Sequence, residues 1–482
     1  MLRALGIFLF LGISWSVRSQ GGPYGTAYYP EKLRADTEVL RALVHEAHPD
    51  PYRYVTKEEL DAAFDRVVDS ITVPLTAGQY LERLMPLFRS IGDSHCYPEL
   101  GIAAQEHLRH DAALIPLKVR FLVDGIHVLE ELKGYRSLPP GARILAINAL
   151  PMATIIERME DLVVADGANR TLGRYLVERD FSVLLNRVAC DTSMFRLNLQ
   201  VDGVEEERTI FAMTGDEIAR SRKPAGAALM PWRAEWEPES GSVWVTLGTL
   251  EADSLERAGQ NSGRFLAAML QELEQNKAHT LVLDLRGSAG KDPAMAEIVF
   301  ATVAQEPFRA VQRITARSAA PPHYYELAAP NPEYYASVGR NYVIDPLGAM
   351  DGRPSDERFE LKSPMDAAFA GRVFVVCDGA TRDAAALLVM LAKRTGRARI
   401  LGEEIGSNAL SFTDGGELLV TTPNAGVRVH VPLVRLFPSG QPTGATDHGE
   451  LPDHALEQRS WGIAKGRDTV KETVLRMLRE LQ

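Results

Sequence analysis

Strand-like and helix-like segments alternate through the C-terminal half of the chain, and this alternation restricts the possible folds more than any other feature. Apolar runs of strand length are separated by stretches with helical periodicity, the runs at 243–247, 280–285 and 372–377 and the stretches at 254–275 and 293–303. Strands that are joined through helices usually pair in parallel. We therefore predict that residues 240–453 form an α/β domain with a mixed, partly parallel sheet.

Two regions of different character precede this domain. Between residues 29 and 100 apolar residues recur at helical spacing, as at Leu40 and Leu43, which predicts an N-terminal helical domain. Residues 101–215 contain short β-like runs, which predict a β domain. Residues 454–482 are predicted to be a C-terminal helical tail. The expected fold class is α+β multidomain.

The segment 138–148 suggests a binding role for the middle domain. A Pro-Gly turn leads into an alternating strand that ends at Asn148, before a helical stretch around 153–162. A strand and a helix arranged in this way can border a groove that accepts an extended peptide as an additional strand. The middle domain is therefore a candidate site for extended polypeptide.

The first 19 residues have the pattern of a secretory signal peptide. Arg3 precedes an apolar run over residues 4–17, and Ser19 provides a small residue at the cleavage point. The run is short for a bilayer span, and an uncleaved anchor is the less favoured alternative. No other stretch is long and apolar enough to cross a membrane. The mature chain is therefore expected to be periplasmic or secreted, without a transmembrane segment.

Charge and composition exclude several partners. The 482 residues carry a formal net charge of −11, and removal of residues 1–19, with two arginines and no acid, leaves −13. Such a balance disfavours nucleic acid and anionic membranes as partners. The three cysteines, Cys96, Cys190 and Cys377, are too few for a disulfide framework. We predict neither a metal nor a cofactor.

Several motifs in a fixed order carry a family resemblance. They are IGDSHC at 91–96, the strand at 138–148, LDLRGSAG at 283–290, the strand and helix at 375–385 with LGEEIG at 401–406, TPNAGVRV at 422–429 and GELPD at 449–453. Each motif is weak alone, and their order makes the set specific. This set resembles the tail-specific, or C-terminal processing, serine protease family.

The resemblance implies a fold, an activity and a set of site residues. The fold includes a PDZ-like domain at 101–215, and the activity is a serine-type peptidase, a hydrolase acting on extended or C-terminal peptide segments. The Ser94–His95 pair resembles the tricorn-like branch of the family, with His95 as the base and Ser94 as a residue that orients it. Gly287 and Ala384 match the positions of the oxyanion donors, whose N–H groups stabilise the negative charge that develops on the attacked carbonyl.

The sequence departs from the family pattern at the nucleophile. Residues 378–386 read DGATRDAAA, so Asp383 stands where the family has its serine. Asn408 lies roughly where the Lys-dependent branch has its lysine. The late glutamate of the tricorn-like branch would fall near Thr446, and whether the neighbouring Asp447 replaces it is left open.

Asp383 has more than one interpretation. As an inactivating residue it would pair with His95, stabilise the protonated imidazole and accept hydrogen bonds meant for the oxyanion. As a structural residue it would be favoured at a helix N-terminus by about 0.3–1 kcal/mol. As a nucleophile it is less suitable, because attack on an amide would form an anhydride and expel an amine.

Other candidate residues have weaker support. His45 and His48 are one residue too close for the zinc-binding H-E-x-x-H pattern, and they are predicted to form a solvated helix end before Pro49. Cys96 is next to His95, but no third residue identifies it as a thiol nucleophile.

The sequence thus predicts a secreted or periplasmic member of a serine-type peptidase family, catalytically impaired by Asp383. The alternative is a non-catalytic protein that binds peptides or hydrophobic ligands on the same scaffold. The expected partner is extended polypeptide, and the oligomeric state is left open.

Overall fold

The computed structural model describes residues 25–132, 137–189, 192–221, 230–346, 349–414 and 416–481. The predicted signal peptide and Cys190 lie outside these ranges. Within the ranges, helices surround several β-sheets, as the α+β class predicts. No helix in them combines the length and the apolar character that a membrane span requires.

The N-terminal region is mainly helical, as its periodicity predicts. Its elements are β1 (Ala27–Tyr28), α1 (Pro30–Ala47), α2 (Lys57–Ser70), β2 (Leu75–Thr76), α3 (Ala77–Ile91), β3 (Tyr97–Glu99) and α4 (Ile102–His110). Capping boxes begin α2 and α3, in which Thr56 pairs with Glu59 and Thr76 with Gln79. Gly92 ends α3 in the left-handed conformation, with φ 66°, so that the chain turns sharply into the next loop.

This region shares its apolar core with the C-terminal region. Leu40, Phe64 and Phe88 are fully buried in a cluster that continues to Leu283 and Leu387. A continuous core fixes the loop after α3 relative to the C-terminal sheet. The predicted domain boundary at residue 100 stays a prediction.

The middle region is a separate β layer with its own core. Its elements are β4 (Leu117–Leu122), β5 (Gly125–Glu131), β6 (Arg143–Ile147), β7 (Leu150–Pro151), α5 (Met152–Glu160), α6 (Arg170–Ala189), β8 (Met194–Val201), β9 (Val204–Phe211) and α7 (Gly215–Ser221). The strands pair antiparallel in the order β4-β5-β6-β8-β9, with β7 on β6. Ile144 and Phe181 lie in the core of this layer.

The strand that was expected to border a peptide groove has no free edge. It is β6, which pairs with β5 and β7 as well as with β8. The outer strand β4 is covered by α6, where Glu178 Oε1 accepts the Phe121 N–H at 2.5 Å and Ser182 Oγ donates to the Ile115 carbonyl at 2.7 Å. The prediction that a peptide adds beside β6 is therefore wrong, because partners within the sheet already use its backbone groups. The PDZ-like assignment of this domain stays a prediction.

The C-terminal region carries the predicted alternation of strands and helices. Its elements are β10 (Trp232–Glu237), β11 (Ser242–Leu247), α8 (Ala252–Arg257), α9 (Ser262–Gln275), β12 (Thr280–Asp284), α10 (Pro293–Ala301), β13 (Val311–Ala316), α11 (Pro332–Asn341), β14 (Tyr342–Ile344), β15 (Met350–Gly352), β16 (Arg372–Cys377), α12 (Ala384–Arg394), β17 (Ala398–Gly402), β18 (Phe412–Thr413), β19 (Glu417–Thr421), β20 (Arg428–Pro432), β21 (Val434–Pro438), β22 (His454–Ala455), α13 (Ser460–Lys465) and α14 (Thr469–Glu480).

The central sheet of this region has the order β10-β11-β12-β16-β17-β22. Only β10 and β11 pair antiparallel, which confirms the prediction of a partly parallel sheet. In the pairing of β12 with β16, Asp284 lies opposite Val376, so both strands end at the same edge. The turns after these two strands therefore meet, and α12, buried from Ala384 to Ala392, starts from that edge.

Smaller elements complete the region. One antiparallel sheet has the order β14-β15-β13-β21-β18, and another, β19-β20-β3, takes its last strand from the N-terminal region. Helix α14 covers the far face of the central sheet, where Val470, Val474 and Leu478 pack near Trp244 and Phe374. Strand β3 thereby ties the loop that precedes it to the C-terminal region.

Candidate active site

The loop after α3 and the turn before α12 meet at one point. His95 Nε2 lies 3.1 Å from Asp383 Oδ1. The His95 side chain is 25% exposed and that of Asp383 only 7%. The tertiary structure therefore brings together two of the predicted site residues from opposite ends of the chain, and solvent reaches the pair on the histidine side.

Two carboxylates fix the loop that carries His95. The His95 N–H donates to Asp93 Oδ1 at 2.9 Å, and the Cys96 N–H donates to the Asp93 carbonyl at 2.9 Å. The Ser94 N–H donates to Asp166 Oδ1 at 2.7 Å. These bonds satisfy three consecutive backbone donors, so the loop holds His95 in one place.

Asp383 lies in a strained turn at the start of α12. Its backbone has φ 58° and ψ −125°, a conformation of the kind that costs a non-glycine residue of order 1–3 kcal/mol. Its N–H donates to Ser407 Oγ at 2.7 Å. Its carboxylate forms no capping hydrogen bond with α12. The side chain faces His95 without capping α12, and the stabilisation of Asp383 by the helix N-terminus stays a prediction.

The electrostatic surroundings of the His95–Asp383 contact favour the charged form of both side chains. Burial alone would lower the pKa of His95, but the charge and hydrogen bond of Asp383, together with the charge of Asp93, raise the pKa of His95 to about 10. Burial likewise opposes ionisation of Asp383, but the positive charge of His95 holds the pKa of that carboxyl below its usual value. A protonated imidazole has no lone pair free to accept a proton, so these surroundings oppose the role of a general base that is predicted for His95.

A second histidine–aspartate contact lies behind the first. The buried His48 places its Nε2 3.1 Å from Asp93 Oδ2, and its Nδ1 accepts the Asp50 N–H at 3.1 Å. Thr413 Oγ1 donates to Asp93 Oδ1 at 2.8 Å. The prediction of a solvated helix end is therefore wrong for His48. No sequence pattern predicted the roles of these two residues, apart from the place of Asp93 in the loop motif with His95.

The second ring nitrogen of His95 faces the loop itself. Its Nδ1 lies 3.4 Å from Ser94 Oγ and 3.8 Å from Asp93 Oδ1. The first distance is at the upper limit for a hydrogen bond, so the orienting role of Ser94 stays a prediction. Asp447 connects to this part of the chain through its backbone carbonyl, which accepts the Ala168 N–H at 2.9 Å. Its replacement of the late glutamate also stays a prediction.

The two predicted oxyanion donors are both engaged. The Gly287 N–H donates to Asp378 Oδ1 at 3.0 Å, and the Ala384 N–H donates to the Gly290 carbonyl at 2.8 Å. An oxyanion could use these groups only after displacing their present acceptors. The oxyanion roles of Gly287 and Ala384 therefore stay predictions, and both require a local rearrangement.

No replacement base comes from the lysine position. The Asn408 N–H donates to Asp166 Oδ2 at 3.1 Å, and its side-chain amide donates to Tyr54 Oη at 3.0 Å. Lys393 lies further along α12, with Nζ 3.6 Å from Glu450 Oε1. Asn408 thus has a structural role, and the ion pairs of Lys393 direct its amine towards Glu450.

The surroundings of Cys96 do not support a thiol nucleophile, and the described residues offer no obvious metal ligands. Cys96 is fully buried, and burial together with the charge of Asp93 raises the pKa of its thiol well above the usual value. Little thiolate forms in such surroundings, so Cys96 is not an activated nucleophile. In the part of the chain that the structure describes, no group of three or more His, Cys, Asp or Glu residues could hold a metal ion.

Comparison with known proteins finds a family match for one segment and a shared fold for the chain. A sequence model of peptidase family S41 matches residues 246–449. No curated protein matches the sequence. Mature CPAF complexed with lactacystin is 12% identical, with 94% of this chain and 98% of that chain covered and a TM-score of 0.64. A point mutant of CPAF is 11% identical over 94% of this chain and 97% of its own, with a TM-score of 0.66.

At these identities the solved structures show a shared fold, and they do so over nearly the whole chain. The matched segment 246–449 contains β12, the turn with Gly287 and the start of α12 with Asp383. The loop with His95 precedes it and is joined to it by the shared core. The chain thus matches peptidase family S41 over residues 246–449, and it shares its fold with the solved structures over nearly its whole length.

Proposed function

We propose that this protein is an exported S41 peptidase homologue that binds extended or C-terminal segments of polypeptides and has lost most of its hydrolytic activity. One observation carries the loss of activity, the 3.1 Å contact of His95 Nε2 with Asp383 Oδ1. In a serine peptidase this space next to the base belongs to the nucleophilic hydroxyl. Export rests on the signal-peptide pattern, and N-terminal sequencing of the secreted protein, expected to begin at Gln20, tests it.

A carboxylate at this position opposes peptide hydrolysis in two ways. It keeps His95 protonated, because the pKa of His95 is raised to about 10 and a base must be neutral to accept a proton. It is also a poor nucleophile towards amides, since the reaction would exchange an amide for an anhydride and expel an amine.

The backbone on both sides of the His95–Asp383 contact is held independently of the Asp383 carboxylate, so that residue can be replaced to test for restored activity. The turn that carries Asp383 is held by Ser407 and the loop that carries His95 by Asp93, and neither bond uses the Asp383 carboxylate. Replacing Asp383 by serine puts a hydroxyl next to His95 and removes the charge that protonates the ring. We expect the Asp383→Ser variant to hydrolyse an unfolded protein at least about 100-fold faster than the wild type, because a positioned base contributes about 10²–10⁴.

Matched variants separate a restored nucleophile from a simple loss of charge. Asp383→Asn removes the charge without supplying a nucleophile and is expected to stay inactive. Adding His95→Ala to Asp383→Ser is expected to abolish the restored activity. Hydrolysis by the wild type that disappears in His95→Ala would overturn the proposal, as would reaction of the wild type with a fluorophosphonate label.

A protein that binds a hydrophobic ligand without any catalysis is the second candidate. A cavity of mixed apolar and polar lining, with Ser94 and Arg382, the chain neighbours of His95 and Asp383, in its wall, favours it. In that case Asp383→Ser stays as inactive as the wild type.

A further inference from the structure

One arginine of the middle region lies between two glutamates, and only one of these belongs to the same region. Arg120, on β4, places Nη1 3.3 Å from Oε2 of Glu178, on α6. Its Nη2 lies 3.9 Å from Oε1 of Glu403, in the turn after β17 of the central sheet. These three side chains form the Arg120 cluster, a charged contact between the middle region and the C-terminal region.

The cluster contains more negative than positive charge. The Glu178 side chain is only 12% exposed, and its Oε1 accepts the Phe121 N–H at 2.5 Å. Asp378, in the turn after β16, adds a further negative charge that faces Glu178. Ionisation of both glutamates therefore leaves a charge that a single guanidinium does not neutralise, and such a charge is costly away from solvent.

The charged groups around the cluster leave this excess in place. Arg174, on α6, and Glu457, after β22, face Glu403 with opposite charges. Arg286 faces Arg120, but its guanidinium is bonded to Asp468 at 2.7 Å. Glu404 adds another acid to the wall of the cavity at this contact. A proton on one of the carboxylates is thus the simplest way to balance the cluster.

Glu178 is the group in this cluster that titrates near neutral pH. Burial is the main reason that the pKa of Glu178 is raised to about 7, and the charges of Glu403 and Asp378 act in the same direction. The charge of Arg120 and the bond from the Phe121 N–H oppose this shift of the pKa. Burial also raises the pKa of Glu403. Near pH 7, Glu178 therefore changes between its neutral and its ionised form.

The surroundings of the cluster leave room for movement. A cavity of about 250 Å³ has all three members of the cluster in its wall. Two residues after Glu178, Asp180 interrupts α6 with φ −106° and ψ 15°. The start of α6 is held by uncharged groups, since Asn169 and Thr171 donate at 2.7 Å and 2.9 Å to carbonyls of the turn after β17. The contact at the cluster can thus change while the start of α6 stays in place.

We propose that the Arg120 cluster is a pH-sensitive contact, closed when Glu178 is protonated and open when Glu178 is ionised. A proton on Glu178 leaves the charge of Arg120 to Glu403, which holds β4 against the central sheet. When both glutamates are ionised, water enters the cavity and β4 moves away from Glu403, because solvent then screens the excess charge. The His95–Asp383 pair takes no part, so the inference is independent of the proposed function.

The direction of the pH effect follows from the raised pKa of Glu178. The usual pKa of a glutamate is about 4.5, and that of Glu178 is about 7. Its contribution to the closed contact is therefore complete below about pH 4.5 and is lost as the pH rises through about 7. The middle region should be held more firmly in mildly acidic than in mildly alkaline solution.

Hydrogen–deuterium exchange on the mature chain measures the opening of the contact. We expect the protection of β4 amides to fall at least about tenfold between about pH 5.5 and 8.5, after correction for the intrinsic exchange rate. Helix α9, which lies outside the contact, is the internal reference and should lose less protection. An equal loss in β4 and α9 would show that the whole chain loosens, and it would contradict the inference.

Variants assign the effect to the cluster. Glu178→Gln resembles the protonated form and should keep β4 protected at pH 8.5. Its matched control is Glu130→Gln, at a glutamate of β5 that is 56% exposed and paired with Lys118, and this variant should behave as the wild type does. Glu403→Gln leaves Arg120 to Glu178 alone, so the midpoint of the β4 transition should move to lower pH.

Thermal unfolding shows whether Glu178→Gln folds, and if it does not, Glu403→Gln reports on the same contact through its midpoint. Three results would overturn the inference. They are β4 protection in the wild type that does not depend on pH, the same loss of protection in a folded Glu178→Gln variant, and an unchanged midpoint in a folded Glu403→Gln variant. Peptidase activity does not enter any of these measurements.

Discussion

Two histidine–aspartate contacts of equal length, 3.1 Å, differ in what surrounds the ring. In the helical region, Nδ1 of His48 accepts the Asp50 N–H, and Nε2 faces Asp93. At the edge of the central sheet, Nε2 of His95 faces Asp383, and its Nδ1 also faces a carboxylate, Asp93, at 3.8 Å. The Asp50 N–H points at Nδ1 of His48, whereas both ring nitrogens of His95 point towards carboxylates.

The comparison shows that the two rings differ in what faces their second nitrogen. A carboxylate near each ring nitrogen favours the imidazolium, and His95 has one on both sides. The raised pKa of His95, about 10, follows from its two acidic neighbours. The same two residue types therefore form a buried contact within the helical region and a contact between two predicted site residues at the edge of the central sheet.

The largest effect is expected from removing one of these acids. In Asp383→Asn, the pKa of His95 should fall from about 10 to near its ordinary value of about 6.5, because burial then opposes the charge and only Asp93 supports it. Titration of the histidine ring signals by NMR measures this, with His95→Ala to assign the resonance. If the pKa of His95 stays near 10 in this variant, Asp93 and not Asp383 keeps the ring protonated, and the difference drawn between the two histidines is wrong.

The same variant changes the pH dependence of stability. The folded pKa of His95 lies above its unfolded value, so its contribution is complete below about pH 6.5 and is lost as the pH rises through about 10. Between these limits the free energy of unfolding should fall more steeply in the wild type than in Asp383→Asn. On the acid side, the lowered pKa of Asp383 stabilises the fold above about pH 4, and this contribution is lost as the pH falls. Urea unfolding at pH 7 and 9.5 compares the two proteins.

An intermediate effect is expected from the structural contact. His48→Ala should lower the free energy of unfolding by about 3 kcal/mol, because it removes a partner of the Asp93 carboxylate in the interior. The matched control is His323→Ala, which breaks a contact with Glu46 of 2.8 Å but at a histidine that is 83% exposed. Its cost should stay below about 1 kcal/mol. Equal losses of the free energy of unfolding in the two variants, measured with urea, would show that burial of the His48–Asp93 contact adds no stability.

The smallest effect is expected from Ser94→Ala. Its hydroxyl lies 3.4 Å from His95 Nδ1, a distance at which a hydrogen bond contributes little. The free energy of unfolding should change by less than about 0.5 kcal/mol, and the His95 titration should keep its midpoint. A clear shift of that midpoint would show that Ser94, and not only Asp93, sets the state of the second ring nitrogen.

Much of the architecture was predictable because it depends on local patterns. The alternation of apolar runs and helical stretches predicted the partly parallel sheet, and the periodicity before residue 100 predicted α1, α2 and α3. The groove beside β6 was predicted wrongly. The pattern of a strand followed by a helix does not say which strand is outermost, and here β6 lies inside the sheet while α6 covers β4.

The sequence by itself determined which groups are available at the site. It placed aspartate at 383, the position at which the family resemblance predicts serine, and it placed a histidine in the loop after α3. Only the tertiary structure decided that Asp383 faces His95 instead of capping α12, and that His48 is buried against Asp93. The physical reason is that periodicity reports which face of an element is apolar, whereas the charge of a side chain depends on its neighbours in space. Those neighbours come from elements far apart in the chain.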